Sequence, residues 1–167
     1  MYMAGVPCHV IQRGNNREAC FFSDDDYSFY LECLKDACKR YQVSCHAYVL
    51  MTNHTHLLLS PNNEEGISKV MQSLGRRYVQ YINKRYKRCG TLWESRHKSS
   101  LIEESRQIAY RNLFESALPK KLLHEIRNAA NFSMPLGENR FKQQIEQTLN
   151  RSLGYAKRGR PVSENTR

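Results

Sequence analysis

His54 and His56 stand one residue apart in the stretch MTNHTHLLLS, at the head of a run of leucines. On a β-strand, successive side chains alternate faces, so both imidazoles would project to one side and Thr55 and Leu57 to the other. Their α-carbons would lie about 7 Å apart, close enough for the rings to converge on one divalent cation. Leu57 and Leu59 would anchor the opposite face. Plain structural histidines, satisfied in a core or at a surface, are the alternative. A metal-dependent hydrolase, with His54, His56 and a carboxylate activating water, is another. Against it, the motif holds neither Asp nor Glu.

The elements that must carry these rings are legible in outline. VPCHVIQRGN reads as a short strand, with Val6, Cys8, Val10 and Gln12 alternating before Gly14-Asn15. SDDDYSFYLECLKDACKRYQ opens with Ser23 and three aspartates, a helix start with negative charge at the positive end of the helix dipole. Tyr27, Tyr30, Leu31, Leu34, Cys38 and Tyr41 then repeat at helical spacing. VSCHAYVLMT and HTHLLLS read as two strands joined through Thr52-Asn53, and Pro61-Asn62-Asn63 ends the second. A second amphipathic helix covers about Glu64–Tyr86, with Ile67, Met71, Leu74, Tyr78 and Ile82 inward. TLWESRHKSSLI resumes as a strand after Cys89-Gly90.

The order β-α-β-β-α-β predicts an α+β fold of the ferredoxin-like kind, an antiparallel sheet backed by helices. Further helices are expected at about 103–118, ended by Pro119, and at about 120–131 and 138–150. The expected division is a main domain at 1–118, a C-terminal helical extension at 119–152 and a flexible basic tail at 153–167.

The chain has 167 residues, 26 Lys and Arg against 16 acids, a formal charge of +10 and a pI near 9.5. Such a surplus on a small domain points to a polyanion, with nucleic acid ahead of an anionic membrane. No run of about 18 apolar residues and no charged-then-apolar leader is visible, so a cytoplasmic, nucleoid-associated protein with no membrane partner is expected. Six cysteines without a C-x-x-C pair are expected to be reduced core residues.

HVIQRGNNREACFF, CHAYVLMTNHTHLLL and GTLWESRHKSSLI, in that order across residues 6–102, together resemble the REP-associated tyrosine transposases of the HUH superfamily. The signature is His, a hydrophobic residue, then His; Thr55 in the middle is a mild departure. The resemblance implies DNA transposition by cleavage and rejoining of single-stranded DNA. It implies that His54 and His56 hold Mg²⁺ or Mn²⁺, and that a tyrosine becomes joined to the 5′ end of the cut strand, leaving a free 3′ hydroxyl. A single-stranded or hairpin DNA is the implied partner.

The resemblance weakens beyond Ile102. In the relatives the nucleophile lies in a motif resembling Y-I-x-L-N-P, whose asparagine can complete the metal shell. Here the family spacing lands on Phe114 and, four residues on, Leu118, neither of which can do that chemistry. Tyr110, one helical turn earlier, is the substitute nucleophile, with Glu94, Gln107 or Glu115 as a third ligand. Core packing is the competing reading of Tyr110. The run from Tyr110 to Pro161 resembles a C-terminal segment of longer relatives, which suggests an internal deletion of several dozen residues.

Arg13, Arg17, Arg76, Arg77, Lys84, Arg85, Arg88 and Lys98 are the expected phosphate contacts. Tyr48, Trp93, Tyr78, Tyr81 and Tyr86 are aromatic residues that either stack unpaired bases or pack the core. KRGRP at 157–161 reads as a minor-groove hook or as a solubilising tail. A transposase-family DNA-binding protein is the leading reading, and a non-catalytic nucleic-acid binder that keeps the fold is the alternative.

Overall fold

The computed structural model describes residues 2–103, 124–126, 128–129, 132 and 134–153. Tyr110, the helix expected at 103–118 beyond its first residue, and the tail from residue 154 lie outside the described residues. So do Gln107 and Glu115.

β1 (Cys8–Arg13) leads through a short 3-10 turn at Asn15–Arg17 to α1 (Asp24–Tyr41). The start of α1 follows from its sequence. Asp26 accepts hydrogen bonds from the backbone N–H groups of Phe22 and Ser23, at 2.8 and 3.0 Å, and three aspartates occupy the first turn. Tyr30, Cys33, Leu34, Ala37 and Cys38 form its buried face.

β2 (Val43–Met51) and β3 (His54–Pro61) form a hairpin through the Thr52-Asn53 turn, and α2 (Gly66–Arg85) follows. Ile67, Val70, Met71, Leu74, Tyr78 and Ile82 bury the inner face of α2. The fourth strand is shorter than the sequence suggests. β4 spans Lys98–Leu101, while Thr91–His97 runs as a loop tied by a bridge between Trp93 and Gly14. Trp93 buries its ring against Tyr78, with centroids 6.0 Å apart, Thr91 Oγ1 donates to the Trp93 carbonyl, and pairing to β1 here is limited to the bridge at Gly14.

The strand order is β2-β3-β1-β4, with every neighbouring pair antiparallel. Each helix connects two strands that leave room for a third between them, the interleaved split βαβ arrangement. The alternation of side chains sorts the faces. Cys8, Val10, Leu57, Leu59 and Leu101 join the helices in the main core. Thr55 also points inward, where its hydroxyl accepts from Tyr30 OH at 3.3 Å, which accommodates a polar residue between the two histidines.

The opposite face is partly covered. Leu58 packs with Ile102, Ala129 and Leu136 in a second, smaller cluster. Leu136 holds the edge of β4, its N–H donating to Leu101 O at 2.7 Å while its carbonyl accepts from Glu103 N at 3.0 Å. Beyond it, α3 (Asn139–Leu149) inserts Ile145 into the main core. The six cysteines are free; Cys8, Cys20, Cys33 and Cys38 are buried as expected, whereas Cys45 and Cys89 are exposed. Cys45 sits on edge strand β2 beside an irregularity in the ladder, and Cys89 beyond the end of α2, where neither meets the core.

Candidate metal and nucleic-acid site

Register places the histidines. One row across the sheet reads Val49, His56, Ile11, Lys98; the next reads Met51, His54, Arg13. Directly paired residues of an antiparallel sheet share a face, so His54, His56, Arg13 and Lys98 lie together on the face away from α1 and α2. Both histidines are half-buried, while Arg13 and Lys98 are exposed. The imidazole centroids are 5.0 Å apart and their planes meet at 70°.

Each ring is held at its Nδ1. His54 Nδ1 donates to Asn53 Oδ1 at 2.6 Å, and Asn53 Nδ2 donates to the carbonyl of Arg17 at 3.0 Å. Asn53 Oδ1 can only accept, so His54 carries its proton on Nδ1 and keeps a lone pair on Nε2. His56 Nδ1 lies 2.8 Å from His9 Nε2, and these two rings stack with an interplanar angle of 10°. His9 is 2% exposed, two residue pairs along β1 and β3 from His56.

The turn that presents His54 is itself fixed. Gly14 N donates to Asn53 O at 2.9 Å, and Cys20 N donates to Thr52 O at 2.8 Å. A Cβ on Gly14 would sit 2.3 Å from the carbonyl oxygen of Glu18, so only glycine allows this approach. Asn16 and Arg17 adopt positive φ of 52° and 63°, a costly backbone for non-glycine residues, and this turn presents the Arg17 carbonyl to Asn53.

Burial holds these rings neutral. The His56 imidazole is pushed down to about 4, first by burial and then by the charges of His54 and Arg13. His9 is pushed down to about 3 by burial and by His56, and His54 is lowered by burial and Arg13. A neutral imidazole with an unshared Nε2 pair is the ligand form for a divalent cation. The two rings would fit as two ligands of a divalent cation, its other positions left to water or phosphate oxygens.

Among the described residues, no group of three His, Cys, Asp or Glu is placed to hold a metal. Glu94 is thus not brought in as the third ligand; its backbone N–H is fixed to Arg13 O at 2.9 Å and its side chain is exposed.

The expected DNA contacts divide between the two sides of the sheet. Arg13 and Lys98 flank the histidines, and Arg17 lies in the turn that holds Asn53. Arg76, Arg77, Lys84 and Arg85 ride on α2, against the opposite face, and Arg88 follows it. Arg77 pairs with Asp36 at 2.9 Å and Arg85 with Asp25 at 2.8 Å. Trp93 and Tyr78 are buried, so they pack the core; Tyr48 is 51% exposed on β2. Sequence reasoning singled out neither His9 nor Asn53. Their signals were a histidine between Cys8 and Val10 in a strand, and an amide directly before the motif.

This architecture, a four-stranded antiparallel sheet with helices, is a fold found among transposases. It is shared with a REP-associated tyrosine transposase bound to a REP hairpin, at 12% identity and a TM-score of 0.55 over 66% of this chain and 64% of that one. It is also shared with a protein from Deinococcus radiodurans described as a candidate transposase, at 18% identity and a TM-score of 0.50 over 68% of this chain and 92% of that one. Residues 3–112 match the family model of the IS200-like transposases, and the chain belongs to that family. It spans a little under two thirds of the length of the REP-associated relative. No curated protein matches it. Among the described residues, no helix is long and apolar enough to cross a membrane.

Proposed function

We propose that this protein binds hairpin-forming single-stranded DNA on the sheet face that carries His54 and His56, and that it cuts and rejoins the strand there as a transposase. The observation that carries this reading is the imidazole pair: two neutral rings, each held at Nδ1, beside the exposed cations Arg13 and Lys98. His54 and His56 hold Mg²⁺ or Mn²⁺ through Nε2, and the cation, when bound, supplies polarisation of the scissile phosphate. Arg13 and Lys98 hold neighbouring phosphates, and Arg17 extends that contact.

Tyr110 is the residue assigned to attack. Its phenolate oxygen forms a bond to phosphorus, the 3′ oxygen leaves with a proton, and the strand stays joined to the tyrosine through its 5′ phosphate. The ester keeps the energy needed for rejoining, so no nucleotide cofactor enters. A second reading, a binder without cleavage, is favoured by Phe114 and Leu118, which stand at the spacing where the relatives carry tyrosine and asparagine.

Incubating the protein with a labelled hairpin DNA and Mn²⁺ decides between them. A covalent protein–DNA adduct, lost in Tyr110→Phe and in His54→Ala/His56→Ala, is the expected result. Hairpin binding with no adduct establishes the binder, and failure to bind hairpin DNA at all removes both readings.

A further inference from the structure

We propose that His9 is a positioning residue for this site: its Nε2 accepts the Nδ1 proton of His56 and so fixes His56 in the tautomer whose Nε2 pair faces the cation. The inference rests on the metal-holding role proposed for His56, and it assigns His9 a part outside the ligand set.

Geometry separates the two roles. His9 is a third imidazole beside the pair, yet it lies almost parallel to His56, with centroids 5.1 Å apart. Its Nε2 is directed at His56 Nδ1, 2.8 Å away. A ligand would turn that nitrogen towards the gap between His54 and His56. His9 stands behind His56 instead.

The position is one where packing alone would favour an apolar residue. His9 sits between Leu58 of β3 and Ser100 of β4, all three buried, at the margin of the small cluster formed by Leu58, Ile102, Ala129 and Leu136. Burying an imidazole there costs free energy unless its nitrogens are satisfied. The bond to His56 offsets part of that cost, and no leucine or valine could make it.

The chemical need is specific. A neutral imidazole in water carries its proton mainly on Nε2, which is the nitrogen the cation requires. His54 has this settled by Asn53 Oδ1, which accepts from its Nδ1. Among the described residues the partner at His56 Nδ1 is an imidazole and not an amide, and in the proposed arrangement His9 Nε2 is the acceptor there. The two ligands are thus held by different partners to the same end, as partners behind metal-bound histidines commonly do.

Long-range ¹H–¹⁵N correlation spectra of the metal-free protein read each tautomer directly. His56 is expected with its proton on Nδ1 in the wild type and in His9→Gln, whose side-chain oxygen reaches a similar place and accepts. In His9→Leu, of comparable bulk, the proton is expected mainly on Nε2. Mn²⁺ affinity by titration calorimetry is expected to fall about 10–100-fold in His9→Leu and to recover in His9→Gln. A purely structural role would give the same His56 tautomer in all three proteins, and that result overturns the inference. Wild-type protein with the His56 proton on Nε2 overturns it equally. If the tautomers behave as expected but no variant takes up Mn²⁺, the role of His9 stands and the metal-binding reading of the pair fails.

Discussion

Asn53 Oδ1 accepts a hydrogen bond from His54 Nδ1 at 2.6 Å while the same amide donates to Arg17 O, so the turn before β3 and the first imidazole are one rigid unit. Removing the amide frees the ring to rotate and to change tautomer. Asn53→Ala is expected to weaken Mn²⁺ binding by about tenfold. Asn53→Asp keeps the acceptor for His54 but loses the donor to Arg17 O, so its Mn²⁺ affinity should fall between those of the other two proteins. Calorimetric titration of the three proteins checks this, and equal affinities would show that the amide does not orient the ring.

The two sides of the sheet make different predictions for salt. Each phosphate neutralised on a single strand contributes about 0.7 to the slope of log affinity against log salt. Arg13→Ala and Lys98→Ala should each lower the slope for hairpin DNA by about that amount. Arg77→Ala should leave it almost unchanged, because that guanidinium is already held by Asp36. Filter-binding or fluorescence titrations between low and moderate salt supply the slopes. A larger effect at Arg77 would move the DNA to the helical side.

Acid should destabilise this fold before its carboxylates titrate. His9 is pushed down to about 3, and His56 and His97 to about 4, each chiefly by burial, against 6.5 in the unfolded chain. Their folded values lie below the unfolded one, so the unfolded chain binds more protons in this range. The stabilising contribution is fully present above pH 6.5 and is lost as pH falls through 4. Tm should be flat from pH 8 to 7 and drop below 6.5. His97 Nε2 is hydrogen-bonded to Tyr2 OH. His97→Gln preserves an acceptor and removes the titration, so the fall between pH 6.5 and 4.5 should become shallower. A variant with an unaltered slope would sink this assignment.

Leu57 and Leu58 face opposite ways and should fail differently. Leu57→Ala opens the main core and is expected to cost about 2–5 kcal/mol of global stability. Leu58→Ala empties the cluster under Leu136 and Ala129. Its signature should be local, with faster amide exchange in residues 134–153 before the sheet itself is affected. Uniform loss of protection in both variants would mean that the segment and the sheet unfold as one unit.

The fold was largely legible in the residues because its signals are local. The apolar spacing of α1 and α2, the aspartates after Ser23 and the two-residue turn at Thr52-Asn53 each follow from propensity and period, and the element order then implied the sheet. Strand alternation likewise put His54 and His56 on one face. The strand expected at 91–102 is shorter, because Thr91 and Trp93 have strand-like composition while the backbone from Thr91 to His97 pairs with β1 only through the bridge at Gly14.

What the sequence determined by itself was the pair of imidazoles, their common face and the positive charge around them, since period and composition are properties of neighbouring residues. The tertiary structure decided what stands behind them. His9 is 47 residues from His56 and meets it only because β1 pairs with β3 in this register. The α2 cations were likewise sent to the other face of the sheet. Register is a property of two strands at once, set by which faces bury together, and no single segment encodes it.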